Sequence, residues 1–260
     1  KLDSIVSKIN EKHNIQTNVE TLRDDINGLN RIGLRIVENE HSKEFSLLDN
    51  IDMEIPIVEN SEKQNSKFDE IKDQLRKELV YLPHEYLVLL DYAVDGKNTS
   101  RLFEAKTMQL FLEEMEYEGT LLGGSSKPDG VFYNDFYGVI VDTKAYKDGF
   151  KILTPLSDQM ERYIKDIQLK SETRNSTKWW ESLPEDTEEI YFGFISSEFK
   201  NDTGEKLERI KESTNVSGFC LTALELIKIA ERYKTSMINH QDLSHAFSSC
   251  REIDSTFFDQ

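Results

Sequence analysis

GGSSKPDGVFYNDFYGVIVDTK, residues 123–144, carries the clearest structural pattern in this chain. Two apolar, aromatic runs are separated by Asn134 and Asp135, residue types typical of the turn in a β-hairpin. A turn centred on these two residues places Asp129 opposite Ile140. The pattern therefore predicts two paired antiparallel strands, with a charged residue at the start of the first strand.

The second strand of this hairpin adds two more charged side chains on the same face. Ile140, Asp142 and Lys144 alternate onto one side of a strand, and Asp129 lies on that side. Two nearby carboxylates suit Mg²⁺, which binds a few carboxylates together with waters and substrate phosphate. A lysine beside them can orient or deprotonate water, or stabilise charge on a phosphate. The pattern predicts a metal-dependent phosphodiesterase site, and the alternative is a charged hairpin that faces solvent.

Six blocks of sequence carry a resemblance to a known enzyme family. They are YLPHEYLVLLDYA (81–93), RLFEAKTMQLF (101–111), LGGSSKPDG (122–130), YGVIVDTKAY (137–146), DQMERY (158–163) and the pair Trp179-Trp180. In this order they resemble the cleavage domain of FokI-type Type IIS restriction endonucleases, which have the PD-(D/E)XK nuclease motif. Six collinear blocks are far more specific than one motif.

The resemblance implies an α/β fold with a PD-(D/E)XK restriction-endonuclease-like core, a mixed sheet flanked by helices. It implies that Asp129 and Asp142 bind the metal, that Lys144 is the catalytic lysine and that Mg²⁺ is the cofactor. Glu104, on the preceding predicted helix, matches an acidic residue near the metal site of this nuclease fold. An exposed helical glutamate is the alternative for Glu104.

Asp158 and Arg162 lie four residues apart on a predicted helix, 154–167. An ordinary intrahelical ion pair is one interpretation. The resemblance implies instead a dimerisation helix, on which the aspartate of one subunit pairs with the arginine of the other. Because one active site cuts one strand, a transient homodimer would then cut both strands of DNA. Lys165 replaces an acidic residue of the family's best-known member, so a nicking enzyme or a partner nuclease subunit is also open.

The 260-residue chain has a net charge of −17 at pH 7. Proteins that bind DNA draw most of their affinity from Lys and Arg on phosphates, so this chain is expected to repel DNA at long range. Double-stranded DNA is therefore expected to be reached through a recognition region that is largely absent from this chain. The first residue is not Met, which indicates a fragment of a longer protein.

Other sequence features indicate where the protein works. No apolar run is long enough to span a membrane, and the polar start KLDSIVSKIN is not a secretory signal. Cys220 and Cys250 lack metal-ligand spacing, which favours buried or incidental thiols in a reducing compartment. We therefore expect no membrane partner and a cytoplasmic protein, which the resemblance implies to be bacterial.

The chain is predicted to contain two domains joined by a linker. Residues 1–58 show the order helix, helix, strand, strand, which resembles the later part of a winged helix, the sub-domain that ends the family's recognition region. The helix at 18–30 carries three acidic residues against the lone Arg23, which favours an interaction or packing role over DNA reading. Residues 59–67 are polar and predict a linker, and residues 68–260 are assigned to the nuclease domain.

Apolar periodicity and end signals predict the helices and strands. In residues 1–58, helices are predicted at 3–12 and 18–29, with Asn18 as an N-cap, and strands at 34–37 and 45–48. Further helices are predicted at 68–80, 84–94, 98–117, 154–167 and 223–233, and further strands at 190–195 and 219–221. Gly123-Gly124 predicts a tight backbone bend, and Trp179-Trp180 is predicted to pack in the core rather than to stack on bases.

The function predicted from these features is Mg²⁺-dependent DNA cleavage that leaves 5′-phosphate ends, by a Type IIS restriction endonuclease that dimerises for double-strand cutting. One alternative is a non-catalytic dimerisation or regulatory module that keeps the nuclease fold. Another is a nicking or heterodimeric endonuclease subunit. The set of Asp129, Asp142 and Lys144 is intact, which favours an enzyme.

Overall fold

Helices and strands alternate along the chain in the computed structural model, which describes residues 2–13, 17–31, 36–38, 45–47, 68–124, 126–200 and 202–259. The chain divides into two compact units, Lys1–Glu62 and Lys63–Gln260. The predicted linker at 59–67 lies outside the described residues.

The described part of the first unit contains two helices followed by a two-stranded antiparallel ladder. These elements are α1 (Leu2–His13), α2 (Val19–Arg31), β1 (Ile36–Glu38) and β2 (Phe45–Leu47). Asn18 caps α2 as predicted, since its Oδ1 accepts from the backbone N–H of Thr21 at 2.9 Å. The predicted order of elements is confirmed, while the winged-helix assignment of residues 1–58 stays a prediction.

The described part of the second unit is built on a mixed six-stranded sheet with helices on both faces. Its helices are α3 (Asp69–Glu78), α4 (Leu89–Tyr92), α5 (Gly96–Gln109), α6 (Thr154–Leu169), α7 (Thr203–Thr214), α8 (Ala223–Lys234) and α9 (His240–Phe247). Its strands are β3 (Glu118–Leu121), β4 (Gly130–Tyr133), β5 (Tyr137–Lys144), β6 (Glu189–Ser196), β7 (Gly218–Thr222) and β8 (Glu252–Ile253). Short 3₁₀ turns lie at His84–Val88, Trp179–Ser182 and Ser255–Asp259, and a π-helical turn lies at Leu110–Glu114.

The sheet has the strand order β3-β4-β5-β6-β7-β8. β3, β4 and β5 form antiparallel pairs, whereas β5 to β8 run parallel to one another. The parallel connections pass through α6, through α7 and through α8 with α9, because parallel neighbours need a crossover segment. This mixed sheet flanked by helices confirms the predicted α/β fold class.

Both faces of the sheet are buried against helices, which explains the nearly continuous burial of β5. Phe132, Val139 and Phe219 belong to one apolar cluster, together with residues of α3, α4, α5, α8 and α9. Ile140 and Phe192 belong to a second cluster, together with residues of α6 and α7. Alternate residues of β5 therefore face opposite helical layers.

The predicted helix at 98–117 is wrong at its C-terminal end. α5 ends at Gln109, a π-helical turn follows, and the next residues form the edge strand β3. Gly119 allows the close pairing of this strand, because a Cβ there would lie 2.3 Å from the carbonyl oxygen of Val131 on β4. The helical segment, including the π-helical turn, therefore ends at Glu114, three residues before the predicted end.

The helices α7 and α9 and the strand β8 were not predicted from periodicity. Both helices nevertheless have start signals in the sequence. The Asp202 side chain accepts from the backbone N–H of Glu205 at the start of α7, and Asn239 and Asp242 form a reciprocal capping box at the start of α9. β8 has only two residues, too few for a strand pattern to be visible.

The core also contains the two tryptophans and the two cysteines. Trp179 and Trp180 are buried, which confirms the predicted packing role. Cys220 and Cys250 are buried thiols without a disulfide, as predicted. Within the described ranges, no helix combines the length and the apolar character that are required to cross a membrane.

Glu231 on α8 holds the segment that follows α3. Its carboxylate accepts from the backbone N–H groups of Val80 (2.9 Å), Tyr81 (3.2 Å) and Leu82 (2.7 Å). We expect Glu231→Ala to lower the free energy of unfolding by about 2 kcal/mol, because these donors lose their acceptor and Leu82 is buried. Glu231→Gln should cost about half as much, since one amide oxygen remains.

Denaturant titration measures both changes in the free energy of unfolding. Glu208→Ala is the control, because Glu208 forms an exposed ion pair with Lys211 at 3.6 Å. Such pairs contribute at most about 1 kcal/mol. An equal loss of stability in Glu231→Ala and Glu208→Ala would contradict the structural role of Glu231.

Candidate active site

The hairpin of β4 and β5 has its turn one residue further along the chain than predicted. The N–H of Asn134 donates to the carbonyl oxygen of Tyr137 at 3.0 Å, so the turn is centred on Asp135 and Phe136. Asn134 Oδ1 also accepts from the N–H groups of Phe136 (2.9 Å) and Tyr137 (3.0 Å). This side-chain turn fixes Asn134 at the first position of the turn rather than at its centre.

The shifted turn changes the residue that faces Asp129. Gly130 pairs with Val141, so the next position of the ladder places Asp129 opposite Asp142. The predicted partner, Ile140, is therefore wrong by two residues. An even shift keeps every side chain on its predicted face, and here it brings the two carboxylates directly across from each other.

Asp142 and Lys144 form a buried ion pair at the end of β5. Lys144 Nζ lies 2.5 Å from Asp142 Oδ2, and the two side chains are 15% and 4% exposed. Ile140, two residues earlier on the same strand, belongs to the apolar cluster that includes α6 and α7. The alternative of a charged hairpin that faces solvent is therefore wrong.

Asp129 is held by the neighbouring strand and by the bend that precedes it. Its Oδ2 accepts from the backbone N–H of Thr143 at 2.7 Å and from the Thr143 hydroxyl at 3.0 Å. Its carbonyl oxygen accepts from the N–H groups of Leu122 (2.8 Å) and Gly123 (3.0 Å). Gly123 and Gly124 have φ of +55° and +96°, which confirms the predicted glycine bend.

Burial and neighbouring charges act on the ionisation of this pair. Burial is the main cause that raises the pKa of Asp142 from 3.8 to about 6, while Lys144 lowers it and Asp129 raises it. Burial also lowers the pKa of Lys144, but the Asp142 carboxylate outweighs this effect and the pKa lies above its usual value. The site thus holds a protonated lysine beside carboxylates whose charges it compensates only in part.

Glu104 on α5 lies close to these carboxylates. It is 9% exposed, so the alternative of an exposed helical glutamate is wrong. Arg101 Nη1 donates to Glu104 Oε2 at 2.5 Å. Burial raises the pKa of Glu104, the Asp129 carboxylate raises it further, and Arg101 lowers it. A Cβ on Gly123 would lie 3.5 Å from Glu104 Oε2, and the N–H of Gly123 donates to the carbonyl oxygen of Asp129, so Glu104 lies near the bend that holds Asp129, with one oxygen already paired.

Two glycines let α5 pack closely against the hairpin. A Cβ on Gly96 would lie 1.9 Å from the carbonyl oxygen of Ala145, the residue that follows β5. A Cβ on Gly130 would lie 2.4 Å from Sδ of Met108 on α5. Larger residues would push the helix away, so both glycines help to fix Glu104 relative to Asp129.

The donor set fits a hard cation such as Mg²⁺. In the described part of the chain, no group of three or more His, Cys, Asp and Glu side chains is arranged to hold a metal ion. Mg²⁺ commonly needs only one or two carboxylates, because waters and substrate phosphates complete its coordination. Asp129 and Asp142 supply two, and a bound cation would stabilise the ionised form of Asp142, whose pKa is raised by burial.

Asp158 and Arg162 lie on α6, whose other side packs against the sheet. Both are exposed, and neither forms an ion pair with another residue among those described. The intrahelical pair that the spacing allowed is therefore not observed. Lys165 on the same helix pairs with Glu161 at 3.4 Å.

Several residues around the site were not identified from the sequence. Thr143 binds Asp129 partly through its backbone N–H. Every residue except proline has this group, so the contact cannot be predicted from the residue type. Arg101 precedes Glu104 by three residues, a helical spacing from which the pair could have been predicted. Asp166 on α6 accepts from Asn175 at 2.8 Å, and this contact joins segments whose proximity depends on the tertiary fold.

Comparisons with known proteins agree with this geometry. A family model for the FokI cleavage domain matches residues 65–254. The Type II restriction enzyme StsI of Streptococcus sanguinis is 34% identical over 229 residues, which are 86% of this chain and 37% of that protein. The Type II restriction enzyme FokI of Planomicrobium okeanokoites is 33% identical over 237 residues, which are 89% of this chain and 40% of that protein.

Two solved structures are also similar. The structure of restriction endonuclease FokI superposes with a TM-score of 0.74 at 32% identity, over 98% of this chain and 44% of that chain. The structure of FokI bound to DNA superposes with a TM-score of 0.72 at 32% identity, over 98% of this chain and 45% of that chain. The chain spans about two fifths of the length of the curated relatives that it matches.

Asp142 should make the metal-free protein less stable as pH rises. Its folded-state pKa of about 6 exceeds the usual 3.8. The folded state therefore binds more protons than the unfolded state between these values, and stability falls as pH rises through that window. The shift corresponds to on the order of 3 kcal/mol. Relative to the wild type, Asp142→Asn should therefore gain stability between about pH 4 and about pH 7.

Urea titrations in EDTA at several pH values measure this stability difference. Only its dependence on pH is diagnostic, because Lys144 loses its partner in the variant and shifts the absolute value. Asp148→Asn, at an exposed position on the loop after β5, controls for the change in net charge. A difference between Asp142→Asn and wild type that stays constant with pH would contradict the burial-driven shift.

Proposed function

The chain belongs to the FokI cleavage-domain family, and from this we propose that it is the cleavage domain of a Type IIS restriction endonuclease, which hydrolyses DNA phosphodiester bonds with Mg²⁺. The observation that carries the proposal is the buried Asp142–Lys144 pair, directly across the hairpin from Asp129. Buried, mutually perturbed charges of this kind are typical of catalytic sites. The similar structure of FokI bound to DNA supports DNA as the substrate.

Asp129 and Asp142 are the proposed metal ligands, and Mg²⁺ held by them would compensate charge on the scissile phosphate and lower the pKa of the attacking water. Both carboxylates suit this role. Thr143 fixes the orientation of Asp129 with two hydrogen bonds, and burial keeps Asp142 poorly solvated. Glu104 is the weaker candidate ligand, because it lies on α5, outside the hairpin that carries Asp129, Asp142 and Lys144.

Lys144 is the proposed catalytic lysine. Its ammonium is anchored on Asp142 Oδ2 at 2.5 Å. Burial lowers the pKa of Lys144, but the Asp142 carboxylate raises it overall, so the lysine is protonated at neutral pH. A protonated lysine orients water and stabilises the charge that develops on the phosphate, rather than removing a proton from the water. The expected products are a 5′-phosphate and a 3′-hydroxyl.

DNA would be reached with the help of a recognition region outside this chain. A net charge of −17 supplies little of the phosphate attraction on which most DNA binding depends. The matched relatives are more than twice as long as the matched segment, which leaves room for a separate DNA-reading part. The acidic helix α2 fits a packing or interaction role better than a base-reading role.

Dimerisation through α6 would allow both DNA strands to be cut. One set of Asp129, Asp142 and Lys144 can act on one scissile phosphate, and the two strands run in opposite directions. A two-fold pair of subunits places the second site in the required orientation. Asp158 and Arg162 are exposed and one turn apart, so two antiparallel copies of α6 can form both reciprocal ion pairs.

A nicking or heterodimeric enzyme is the second candidate, and Lys165 is the observation that favours it. Lys165 lies one turn from Arg162 and is 40% exposed. Two identical copies would bring this positive charge into the same interface. Its pairing with Glu161 at 3.4 Å reduces the repulsion, which keeps the homodimer as the first proposal. The intact Asp129–Asp142–Lys144 set makes a non-catalytic module a weaker explanation.

Asp142→Ala should abolish DNA cleavage when the chain is fused to a DNA-binding domain and supplied with plasmid and Mg²⁺. The reason is that the variant loses both a proposed metal ligand and the anchor of Lys144. Gel analysis of nicked and linear plasmid gives the rate. Asp148→Ala, which removes an exposed carboxylate from the following loop, should cut like the wild type. Wild-type cleavage by Asp142→Ala would refute the proposed active site.

Reversing the charge of Arg162 should separate nicking from double-strand cutting. Arg162→Asp places like charges across the proposed interface and should yield mainly nicked plasmid in the same fusion. An equimolar mixture of Asp158→Arg and Arg162→Asp subunits should restore linear product, because opposite charges face each other again. Arg209→Asp, an equal charge reversal at an exposed position of α7, is the control.

Two results would contradict dimerisation through α6. One is unimpaired linear product from Arg162→Asp alone. The other is a mixture of the two reversed subunits that still only nicks. The second result would instead support the nicking or heterodimeric candidate.

A further inference from the structure

The loop that leads into Asp129 has an unusual backbone. Three of its residues adopt left-handed conformations: Gly123 (φ +55°), Gly124 (φ +96°) and Ser126 (φ +66°). Glycine adopts such angles readily, but a residue with a side chain is destabilised there by about 1 kcal/mol. Ser126 therefore needs support from outside the loop, and it lies only three residues before Asp129.

The side chain of Asn175 provides this support. Its Nδ2 donates to the carbonyl oxygen of Ser126 at 2.7 Å and to Asp166 Oδ2 at 2.8 Å. Its Oδ1 accepts from the N–H of Thr177 at 3.1 Å and from the Thr177 hydroxyl at 2.7 Å. Both ends of the amide are thus used in the only orientation that satisfies all four partners.

Asp166 gives Asn175 a fixed anchor on α6. It is 5% exposed, and its carboxylate also accepts from Arg174 Nε at 3.0 Å and from Trp179 Nε1 at 3.4 Å. Trp179 is itself buried in the core. A carboxylate that is buried and bonded in this way holds its position, so the amide that it binds is fixed relative to the sheet.

The segment between Ser126, which Asn175 binds, and Asp129 is short and conformationally restricted. Pro128 lies between Ser126 and Asp129, is buried and has a restricted φ. At the other end of the loop, the Asp129 carbonyl oxygen is held by the N–H groups of Leu122 and Gly123. The loop is therefore held at Leu122 and Gly123 by the carbonyl oxygen of Asp129 and at Ser126 by the side chain of Asn175.

We propose that Asn175 is a positioning residue for cleavage, which holds Ser126 and thereby sets the placement of the Asp129 carboxylate at the metal site. The proposal rests on the function proposed above, because Asp129 is taken there as a metal ligand. It adds a residue that touches neither metal nor substrate. It also fixes the catalytic loop to α6, the helix that carries Asp158 and Arg162.

Asn175→Asp tests this role, because it keeps the shape of the side chain and removes the donor. A carboxylate at this position would face two other oxygens, those of Asp166 and of the Ser126 carbonyl. Asn175→Ala removes the donor without adding charge. Asn239→Asp is the matched control, since Asn239 caps α9 as an acceptor only and is exposed, and Asp caps helices as well as Asn does.

Two measurements on the full chain are needed. Calorimetry with Mg²⁺ alone, without DNA, measures binding at the metal site, and plasmid nicking by the same chain fused to a DNA-binding domain, at saturating Mg²⁺, measures the chemical step. We expect Asn175→Asp to bind Mg²⁺ about tenfold more weakly and to nick about tenfold more slowly, and Asn175→Ala to lose about threefold in each. Asn239→Asp should match the wild type in both. Circular dichroism establishes that each variant is folded at the assay temperature.

The outcomes separate this inference from the proposed function. A wild-type chain that does not bind Mg²⁺ and, fused to the DNA-binding domain, does not nick plasmid would refute the proposed function. A wild-type chain that does both, with Asn175 variants that match it, would refute only the role of Asn175. Loss of the folded state in both Asn175 variants would also overturn the positioning role, because Asn175 would then support the whole unit.

Discussion

The burial of Asp142 is the constraint around which the second unit is organised. Removing a carboxylate from water costs several kcal/mol, and this side chain is only 4% exposed. Lys144 offsets part of the cost, yet burial still raises the pKa of Asp142 to about 6. The apolar clusters on the two faces of the sheet have to supply the remaining stability. The site therefore lowers the stability of the folded unit, and the apolar core compensates for this loss.

Asp129 meets this buried group because several independent contacts fix it. Thr143 binds its carboxylate from the neighbouring strand, and the glycine bend binds its carbonyl oxygen. On the other side, Gly130 allows Met108 of α5 to approach the strand closely. A site assembled from a hairpin, a bend and a helix is well defined only when all of these close contacts are present.

The sequence predicts the parts of the site that follow from strand alternation. Asp142 and Lys144 fall on one face whatever the length of the turn, and an error of two residues in the predicted partner of Asp129 left the faces unchanged. The turn itself was placed wrongly because the hydrogen bonds of the Asn134 side chain decide its centre. The burial of Glu104 and the contact of Asn175 with Ser126 depend on the packing of helices and loops, which no local pattern reports.

The same distinction holds for the fold. The buried strand β6 and the helix α6 have strong patterns and were predicted to within a few residues. The edge strand β3 was not, because its four residues are too few to show a strand pattern and pairing with β4 makes them extended. The capping box of α9 was readable in the sequence, so the absence of that helix from the prediction is an error of interpretation rather than a lack of signal.

The hairpin turn has a different consequence for the divergence of such enzymes. Phe136 at the turn is 73% exposed, whereas Val139, Ile140 and Val141 are fully buried on the two faces of the sheet. The face of the sheet on which each β5 side chain lies is thus set by packing on both sides, and an even change in the length of the turn preserves it. Insertions and deletions of two residues at Asp135 and Phe136 can accumulate between lineages while the carboxylates at the far end of the strands stay on the same face. The tip of this hairpin is a natural point of length variation in an otherwise rigid core.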